Sequence, residues 1–136
     1  MQIYVLGFLF DLEGKQVVLI QKNRPEWQAG FYNGVGGKVE KNESHKEAMQ
    51  REFLEETGLK VSRSDWRRAG KIIAEDYIIH VFTAKHRFYN LAKTQESEPV
   101  LIAKLDLLKE LPVLQNVPWL VNICLDDWMQ DFTVHV

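Results

Sequence analysis

The segment GKVEKNESHKEAMQREFLEETGL, residues 37–59, decides the fold because it holds the most distinct helical pattern in the chain. Ser44 and Glu47 have the spacing of a capping box, and Gly58 lies where a helix usually ends. Met49 and Phe53 are four positions apart, so they share one side of a helix and can be buried together. Residues 44–57 are therefore predicted to form a helix.

This helix would carry an unusual concentration of negative charge. Glu55 and Glu56 lie three and four positions after Glu52, so all three crowd one face. Like charges at these spacings destabilise a helix by about 0.2–0.5 kcal/mol per pair. They also lie near the helix C-terminus, where the macrodipole disfavours anions, and Arg51 can reach only part of them. Two interpretations follow: a solvated acidic face, or a site for a hard divalent cation such as Mg²⁺, which prefers oxygen ligands.

The pattern on either side of the helix predicts a mixture of strands and one further helix. Apolar, β-branched stretches predict strands at Gln2–Phe10, Gln16–Gln21, 66–74, Tyr77–Lys85 and 100–107, and Pro118 opens a predicted helix over 118–125. Residues 22–30 and 90–99 are polar and predict loops, and the glycine-rich residues 31–39 predict an irregular strand or turn. The expected class is α+β, in layers, with residues 1–136 as one domain.

Composition excludes several classes of protein. The chain has 136 residues, 46% of them apolar and 26% charged, with a net charge of −2, which is globular and unlike the strongly basic proteins that wrap duplex nucleic acid. A single cysteine, Cys124, rules out an intrachain disulfide and a cysteine zinc cage. No apolar stretch approaches the ~20 residues of a membrane span. The apolar N-terminus lacks the basic region of a signal peptide, so a cytoplasmic location is expected.

Residues 37–59 also match a longer spacing pattern. Gly37 is followed at fixed distances by Glu43, Arg51, the glutamates of the acidic face, Gly58 and Leu59. This stretch resembles the Nudix box, G-x5-E-x7-R-E-U-x-E-E-x-G-U with U a bulky aliphatic residue. Phe53 at the first U position, aromatic but apolar, is the one departure. The resemblance implies a Nudix hydrolase of the MutT-like kind, with a mixed β-sheet sandwiched between helices.

The resemblance also implies roles for individual residues. Glu52, Glu55, Glu56 and the carbonyl of Gly36 would bind Mg²⁺, or Mn²⁺ as an alternative, and Glu98 from the later loop is favoured over Glu96 as a further ligand. Either Glu55 or Glu56 would act as the general base, and Arg51 would pair with Glu43 to hold the loop against the helix. The residues expected to take part in catalysis are Glu43, Arg51, Glu52, Glu55 and Glu56.

The resemblance further implies a nucleoside diphosphate linked to another group as the substrate, with no membrane or DNA partner and a monomeric or homodimeric protein. Asn33, in the segment before the box, resembles a base-contacting asparagine of the MutT-like branch, so a nucleoside triphosphate is favoured and oxidised purine nucleotides are candidates. The expected substrate-binding residues are Asn33, Lys38, Lys22, Arg24, Tyr77 and Trp119. For Trp119, packing of the last helix is the competing interpretation.

Other substrates and another class of function stay open. Tyr77 falls eighteen residues after Leu59, an offset that resembles family members acting on dinucleoside polyphosphates. ADP-ribose is the other small-molecule alternative, although Glu75 stands where a proline is found in such members. Capped RNA ends are disfavoured by the modest net charge. The alternative of another class is a catalytically silent nucleotide-sensing domain. His80, in an alternating strand pattern, is expected to be a hydrogen-bonded strand histidine.

Overall fold

A mixed sheet and two α-helices make up the fold in the computed structural model, which describes residues 1–129 and 131–136. The strands are β1 (Gln2–Phe10), β2 (Gln16–Gln21), β3 (Tyr32–Asn33), β4 (Val35–Lys38), β5 (Arg67–Ile73), β6 (Tyr77–Lys85), β7 (Val100–Lys104) and β8 (Phe132–His135). The α-helices are α1 (His45–Thr57) and α2 (Val117–Leu125), and short 3-10 helices span Glu26–Gln28, Tyr89–Leu91 and Leu105–Glu110.

Strand β1 is the centre of the sheet. It pairs in parallel with β6 along its whole length, from Gln2 opposite Tyr77 to Phe10 opposite Lys85. Its other edge is shared, because β4 pairs antiparallel with the first half of β1 and β2 with its end. Strand β5 continues the sheet beyond β6 and pairs with β8, whereas β7 pairs with β2. This arrangement brings the glycine-rich strand β4 directly under α1.

The two helices cover opposite faces of the sheet, which confirms the α+β class and the predicted sandwich. On one face Met49 and Phe53 of α1 pack with core residues such as Trp66. On the other face Leu120 and Cys124 of α2 belong to a second buried cluster. No helix in the described residues combines the length and the apolar composition that a membrane crossing requires.

Most predicted elements are present, and two differences have physical causes. The strand predicted over 100–107 ends at Lys104, because Leu105–Glu110 turns into a 3-10 helix whose Leu108 enters the core. Strand β8 has no counterpart in the sequence prediction. It is four residues long and is stabilised by parallel pairing with β5, a partner about sixty residues earlier that no local pattern reveals.

His80 differs from its expected environment. Its ring stacks on His45 of α1, with the ring centroids 4.0 Å apart and an interplanar angle of 27°. The expectation of a hydrogen-bonded histidine is wrong, since its buried Nδ1 atom has no partner within the described part of the chain. Burial, reinforced by His45 and Arg68, lowers the pKa of His80 to about 4.

This shift predicts a pH dependence of stability. The unfolded chain binds a proton at His80 near its ordinary pKa of about 6.5, whereas the folded chain resists protonation until about pH 4. His80 therefore costs no stability above about pH 6.5, and its contribution lowers the free energy of unfolding as the pH falls from there toward about 4. His80→Phe preserves an aromatic ring but cannot titrate. Between pH 7 and pH 4, the free energy of unfolding measured in urea should fall on the order of 2–3 kcal/mol further for wild type than for this variant. Equal losses would contradict the lowered pKa of His80.

Candidate metal and phosphate site

The ends of helix α1 fix the position of the acidic face. At the first turn the Ser44 hydroxyl accepts a hydrogen bond from the Glu47 amide at 3.1 Å, and the Glu47 carboxylate accepts one from the Ser44 amide at 2.9 Å. Gly58 adopts a left-handed conformation, with φ of 74°, and its amide bonds to Leu54. Both predicted boundaries are confirmed, so Glu52, Glu55 and Glu56 occupy the last two turns of the helix.

Strand β4 allows an unusually close approach between backbone and helix. A Cβ atom added at Gly37 would lie 2.5 Å from the carboxyl carbon of Glu52, and one added at Gly36 would collide with the carbonyl oxygen of Val5. Any side chain at these two positions would displace the Glu52 carboxylate or separate β4 from β1. The glycines therefore let the Glu52 carboxylate and the backbone of β1 pack directly against β4.

Arg51 organises one side of this face. Its Nε and Nη2 atoms donate to both oxygens of Glu43, at 2.7 and 2.9 Å, and Nη2 also donates to the Lys38 carbonyl at 3.0 Å. Nη1 donates to Glu52 at 2.8 Å and approaches Glu55 at 3.4 Å. The hydrogen bond from Arg51 lowers the pKa of Glu43. One guanidinium thus links the loop before the helix, the end of β4 and the start of the acidic face.

Glu56 has the opposite environment. No hydrogen bond or ion pair to its carboxylate occurs among residues 1–129 and 131–136, and Glu98, Glu96 and Glu52 face it. Burial, followed by the repulsion of Glu98 and Glu96, raises its pKa to about 7, and Lys22 only partly opposes this shift. Burial also raises the pKa of Glu52 despite its bond to Arg51. The acidic face is therefore an undercompensated negative region rather than a solvated one.

Glu98 joins this region from the loop before β7. It is 7% exposed, accepts a hydrogen bond from the Lys22 ammonium at 3.2 Å, and accepts another from the Asn23 backbone amide at 2.8 Å. Lys22, proposed from the sequence as a phosphate contact, is thus paired with the carboxylate proposed as a metal ligand. The sequence gives no signal for the hydrogen bond from Asn23 to Glu98, because the two residues are 75 positions apart.

The donor set fits a hard cation in chemistry. Carboxylates of Glu52, Glu56 and Glu98 are oxygen ligands of the kind that Mg²⁺ takes, and Glu56 has no ion-pair partner within the described residues. Glycine at position 37 lets the Glu52 carboxylate lie against β4. The side chains are not yet gathered, because no three of the acidic, histidine or cysteine side chains in the described residues already form a metal cluster. Glu52 is paired with Arg51 at 2.8 Å and Glu98 with Lys22 at 3.2 Å.

The expected base-contacting residue, Asn33, lies on β3 opposite Ile20. Its side-chain oxygen accepts a hydrogen bond from the Gly34 amide at 2.8 Å, which leaves its amide nitrogen as the group available for a ligand. Lys38 and Arg24 have exposed side chains. Trp27 is 71% exposed and lies on the 3-10 helix that precedes β3. The sequence predicts only a polar loop for this stretch and gives no signal for the residue.

Two aromatic residues proposed as substrate contacts have packing partners. Tyr77 meets Tyr4 edge-on, with the ring centroids 6.1 Å apart, at the start of β6. Trp119 is partly buried against the core and meets Phe132 of β8 edge-on at 6.3 Å. Packing therefore accounts for both residues, and contact with a nucleotide stays a prediction for each.

A cavity of about 470 Å³ lies at the other end of α1 from the acidic face. It is lined by Glu43, Ser44, His45, Lys46, Arg68 and Phe82. Its lining includes none of Glu52, Glu56 and Glu98, so it is distinct from the cluster of carboxylates. The acidic face itself lies under the loop of residues 94–98 and beside β4.

The geometry of Arg51 predicts that lysine cannot replace it. A lysine ammonium is a point charge and cannot donate along two parallel bonds to one carboxylate, so Arg51→Lys should lower the free energy of unfolding by about 1–3 kcal/mol. Arg63→Lys is the matched control, because Arg63 meets Glu47 at 3.4 Å with the two side chains 62% and 47% exposed; it should change stability by less than about 1 kcal/mol. Equal effects in urea unfolding would contradict the role given to Arg51.

The chain is similar to known proteins in sequence and in fold. The NUDIX domain family model matches residues 1–118. An oxidized purine nucleoside triphosphate hydrolase of Mus musculus is 33% identical over 94 residues, covering 65% of this chain and 58% of that protein. A CTP pyrophosphohydrolase of Escherichia coli is 32% identical over 79 residues, covering 58% of each. Both matches thus span little more than half of the relative's length.

A solved structure of MutT, from work on the Aliivibrio salmonicida and Vibrio cholerae proteins, superposes with a TM-score of 0.75 at 22% identity. The alignment covers 90% of this chain and 96% of that one, which is a likeness of fold. The same mixed sheet lies between helices in both, and the family model includes the whole of the box in residues 37–59. The chain belongs to the NUDIX domain family.

Proposed function

We propose that this protein is a divalent-metal-dependent hydrolase of nucleoside diphosphate-linked compounds, most specifically a nucleoside triphosphate pyrophosphohydrolase. The observation that carries the proposal is Glu56, which is half-buried, is faced by Glu52, Glu96 and Glu98, and makes no ion pair among residues 1–129 and 131–136. Such an arrangement costs folding free energy, because like charges repel and burial disfavours each of them. A cation in this region would relieve that cost, and phosphoanhydride cleavage is a reaction that needs one.

The proposed roles follow from where each group lies. Glu52 and Glu56 of α1, with Glu98 and the Gly36 carbonyl, would hold Mg²⁺, and Glu55 would add a further carboxylate at the rim. The bound ion would neutralise pyrophosphate oxygens and lower the pKa of a water molecule. Arg51 keeps the helix and the loop in register through Glu43. The absence of a side chain at Gly37 lets the Glu52 carboxylate lie directly against the backbone of β4.

Proton transfer is assigned to one of two neighbouring carboxylates. Glu55 is 48% exposed and lies 3.4 Å from Arg51, so it is held at the rim in contact with solvent. Glu56 is more buried and has no such partner in the described residues. Either can accept a proton from an attacking water within hydrogen-bond reach, and we keep both as candidates for the general base.

The substrate side of the proposal rests on the residues before the box. The Asn33 amide nitrogen is available to donate to an acceptor atom on a base, and Lys38 stands at the end of β4 next to the two glycines. Lys22 and Arg24 lie in the segment after β2 and would meet phosphate oxygens. The named activities of the mouse and E. coli relatives make oxidised purine nucleotides and CTP the first substrates to test.

A panel of substrates tests the activity. It should contain CTP, the common and oxidised purine nucleoside triphosphates, a dinucleoside polyphosphate, ADP-ribose and a capped RNA. With Mg²⁺ we expect a triphosphate to be the best substrate, with a nucleoside monophosphate and pyrophosphate as products, and EDTA should abolish turnover. Turnover that is unaffected by EDTA would contradict the metal requirement. Tight nucleotide binding without any turnover would favour a nucleotide-sensing domain.

Glu56→Gln tests the site itself. The substitution keeps the shape of the side chain but removes its charge, so kcat should fall by about 10²–10⁴-fold. The melting temperature in EDTA should hold or rise, because the variant removes a repelled carboxylate. Glu13→Gln is the matched control, since Glu13 is 71% exposed in the β1–β2 turn, and it should keep wild-type kcat. Normal turnover by Glu56→Gln would remove this residue from the metal site.

A further inference from the structure

The loop of residues 93–98, which carries Glu96 and Glu98, is fastened to the C-terminal end of α1. The Lys93 amide donates to the Thr57 carbonyl at 2.9 Å, and the Gln95 amide approaches the Glu56 carbonyl at 3.4 Å. These carbonyls belong to the last turn of the helix, where backbone acceptors lack partners within the helix. The loop therefore completes the helix end that bears Glu56.

Gly58 allows the loop to lie against this helix end. A Cβ atom at Gly58 would come within 2.9 Å of the side-chain amide of Gln95. The contact places Gln95 over the point where the chain leaves α1, between the two backbone hydrogen bonds made by the loop. The N-terminal half of the loop is thus held by backbone contacts that its own sequence does not determine.

Thr94 lies between these two contacts and connects the loop to the sheet. Its hydroxyl oxygen accepts a hydrogen bond from the Val100 amide at 2.8 Å. Val100 is the first residue of β7, and the neighbouring Pro99 carbonyl accepts a hydrogen bond from Gln21 of β2. The side chain of Thr94 therefore closes the loop, with one end on the helix and the other on the strand.

The far half of the loop is fastened to the segment after β2. Asn23 donates through its backbone to Glu98 and through its side chain to the hydroxyl of Ser97, at 2.8 and 3.0 Å. Lys22 adds the ion pair to Glu98 at 3.2 Å. These bonds tie Glu98 to the segment after β2. The path from Lys93 to Glu98 is held by a different bond, the one that joins Thr94 to Val100.

We infer that Thr94 is a positioning residue for the metal site: its hydroxyl holds the loop closed, so that Glu96 and Glu98 stay turned toward Glu56. This inference rests on the proposed function, because it assumes that a cation binds among these carboxylates. The proposed role of Thr94 needs no contact with the ion or the substrate, because its hydroxyl is bonded to the Val100 amide. It acts through the loop, as groups outside the ligand shell do when they orient metal ligands.

The test is the affinity for Mn²⁺, measured by electron paramagnetic resonance on the full chain without nucleotide. Thr94→Val keeps the shape of the side chain and removes the acceptor, and we expect it to raise the Mn²⁺ dissociation constant about 10-fold. Thr94→Ser keeps the hydroxyl and should restore wild-type affinity. Thr133→Val makes the same chemical change on the exposed face of β8 and should bind Mn²⁺ as wild type does.

The outcomes separate the two proposals. If wild type binds Mn²⁺ and the Thr94→Val variant binds it equally well, the role of Thr94 is overturned and the proposed function stands. Wild type that does not bind Mn²⁺ would overturn both. If Thr94→Val does not fold, Thr94→Ala takes its place, and a Thr94→Ser variant that fails to restore affinity would also overturn the inference.

Discussion

Helix α1 lies so close to strand β4 that a side chain at Gly37 would collide with the Glu52 carboxylate. This close approach is the constraint on which the rest of the site depends. It requires two glycines in the strand, a helix whose start is fixed by Ser44 and Glu47, and Arg51 to bridge helix and loop. Each of these features is local in sequence, which is why one stretch of 23 residues carries so much of the fold and the site.

The electrostatics of α1 run against what helix stability alone would select. Carboxylates gather near the C-terminal end, where the macrodipole disfavours them, and within the described residues Arg51 makes a short bond to Glu52 but to no other carboxylate of this group. Glu56 makes no ion pair within the described residues, Lys22 opposes its raised pKa only in part, and Glu98 adds further negative charge. The arrangement is costly for an apoprotein and reasonable for one that binds a divalent cation.

Sequence reasoning succeeds where the determinants are local. The capping box and Gly58 predict α1, and apolar, β-branched stretches predict Gln2–Phe10, Gln16–Gln21 and Tyr77–Lys85 as they occur in the structure. It fails where the determinants are distant. Strand β8 exists because β5 offers it an edge. The stacking of His80 on His45 likewise depends on how the helix crosses the sheet.

The candidate site divides in the same way. The resemblance to the Nudix box implies the pairing of Arg51 with Glu43, which the structure contains, whereas the pairing of Lys22 with Glu98 joins residues 76 positions apart and is not implied by it. The packing of Trp119 against Phe132 also has no signal in the sequence, because its partner lies on the strand that the sequence does not predict. Spacing within one helix can be read directly, but contacts between loops require the fold.

The most direct measurement of the central claim is anomalous diffraction from a crystal soaked in Mn²⁺. We predict a peak within about 2–2.3 Å of carboxylate oxygens of Glu56 and Glu52, with Arg51 still bound to Glu43. A peak at a different place, or none at Glu56 at a Mn²⁺ concentration that supports turnover, would contradict the claim that this helix gathers a cation.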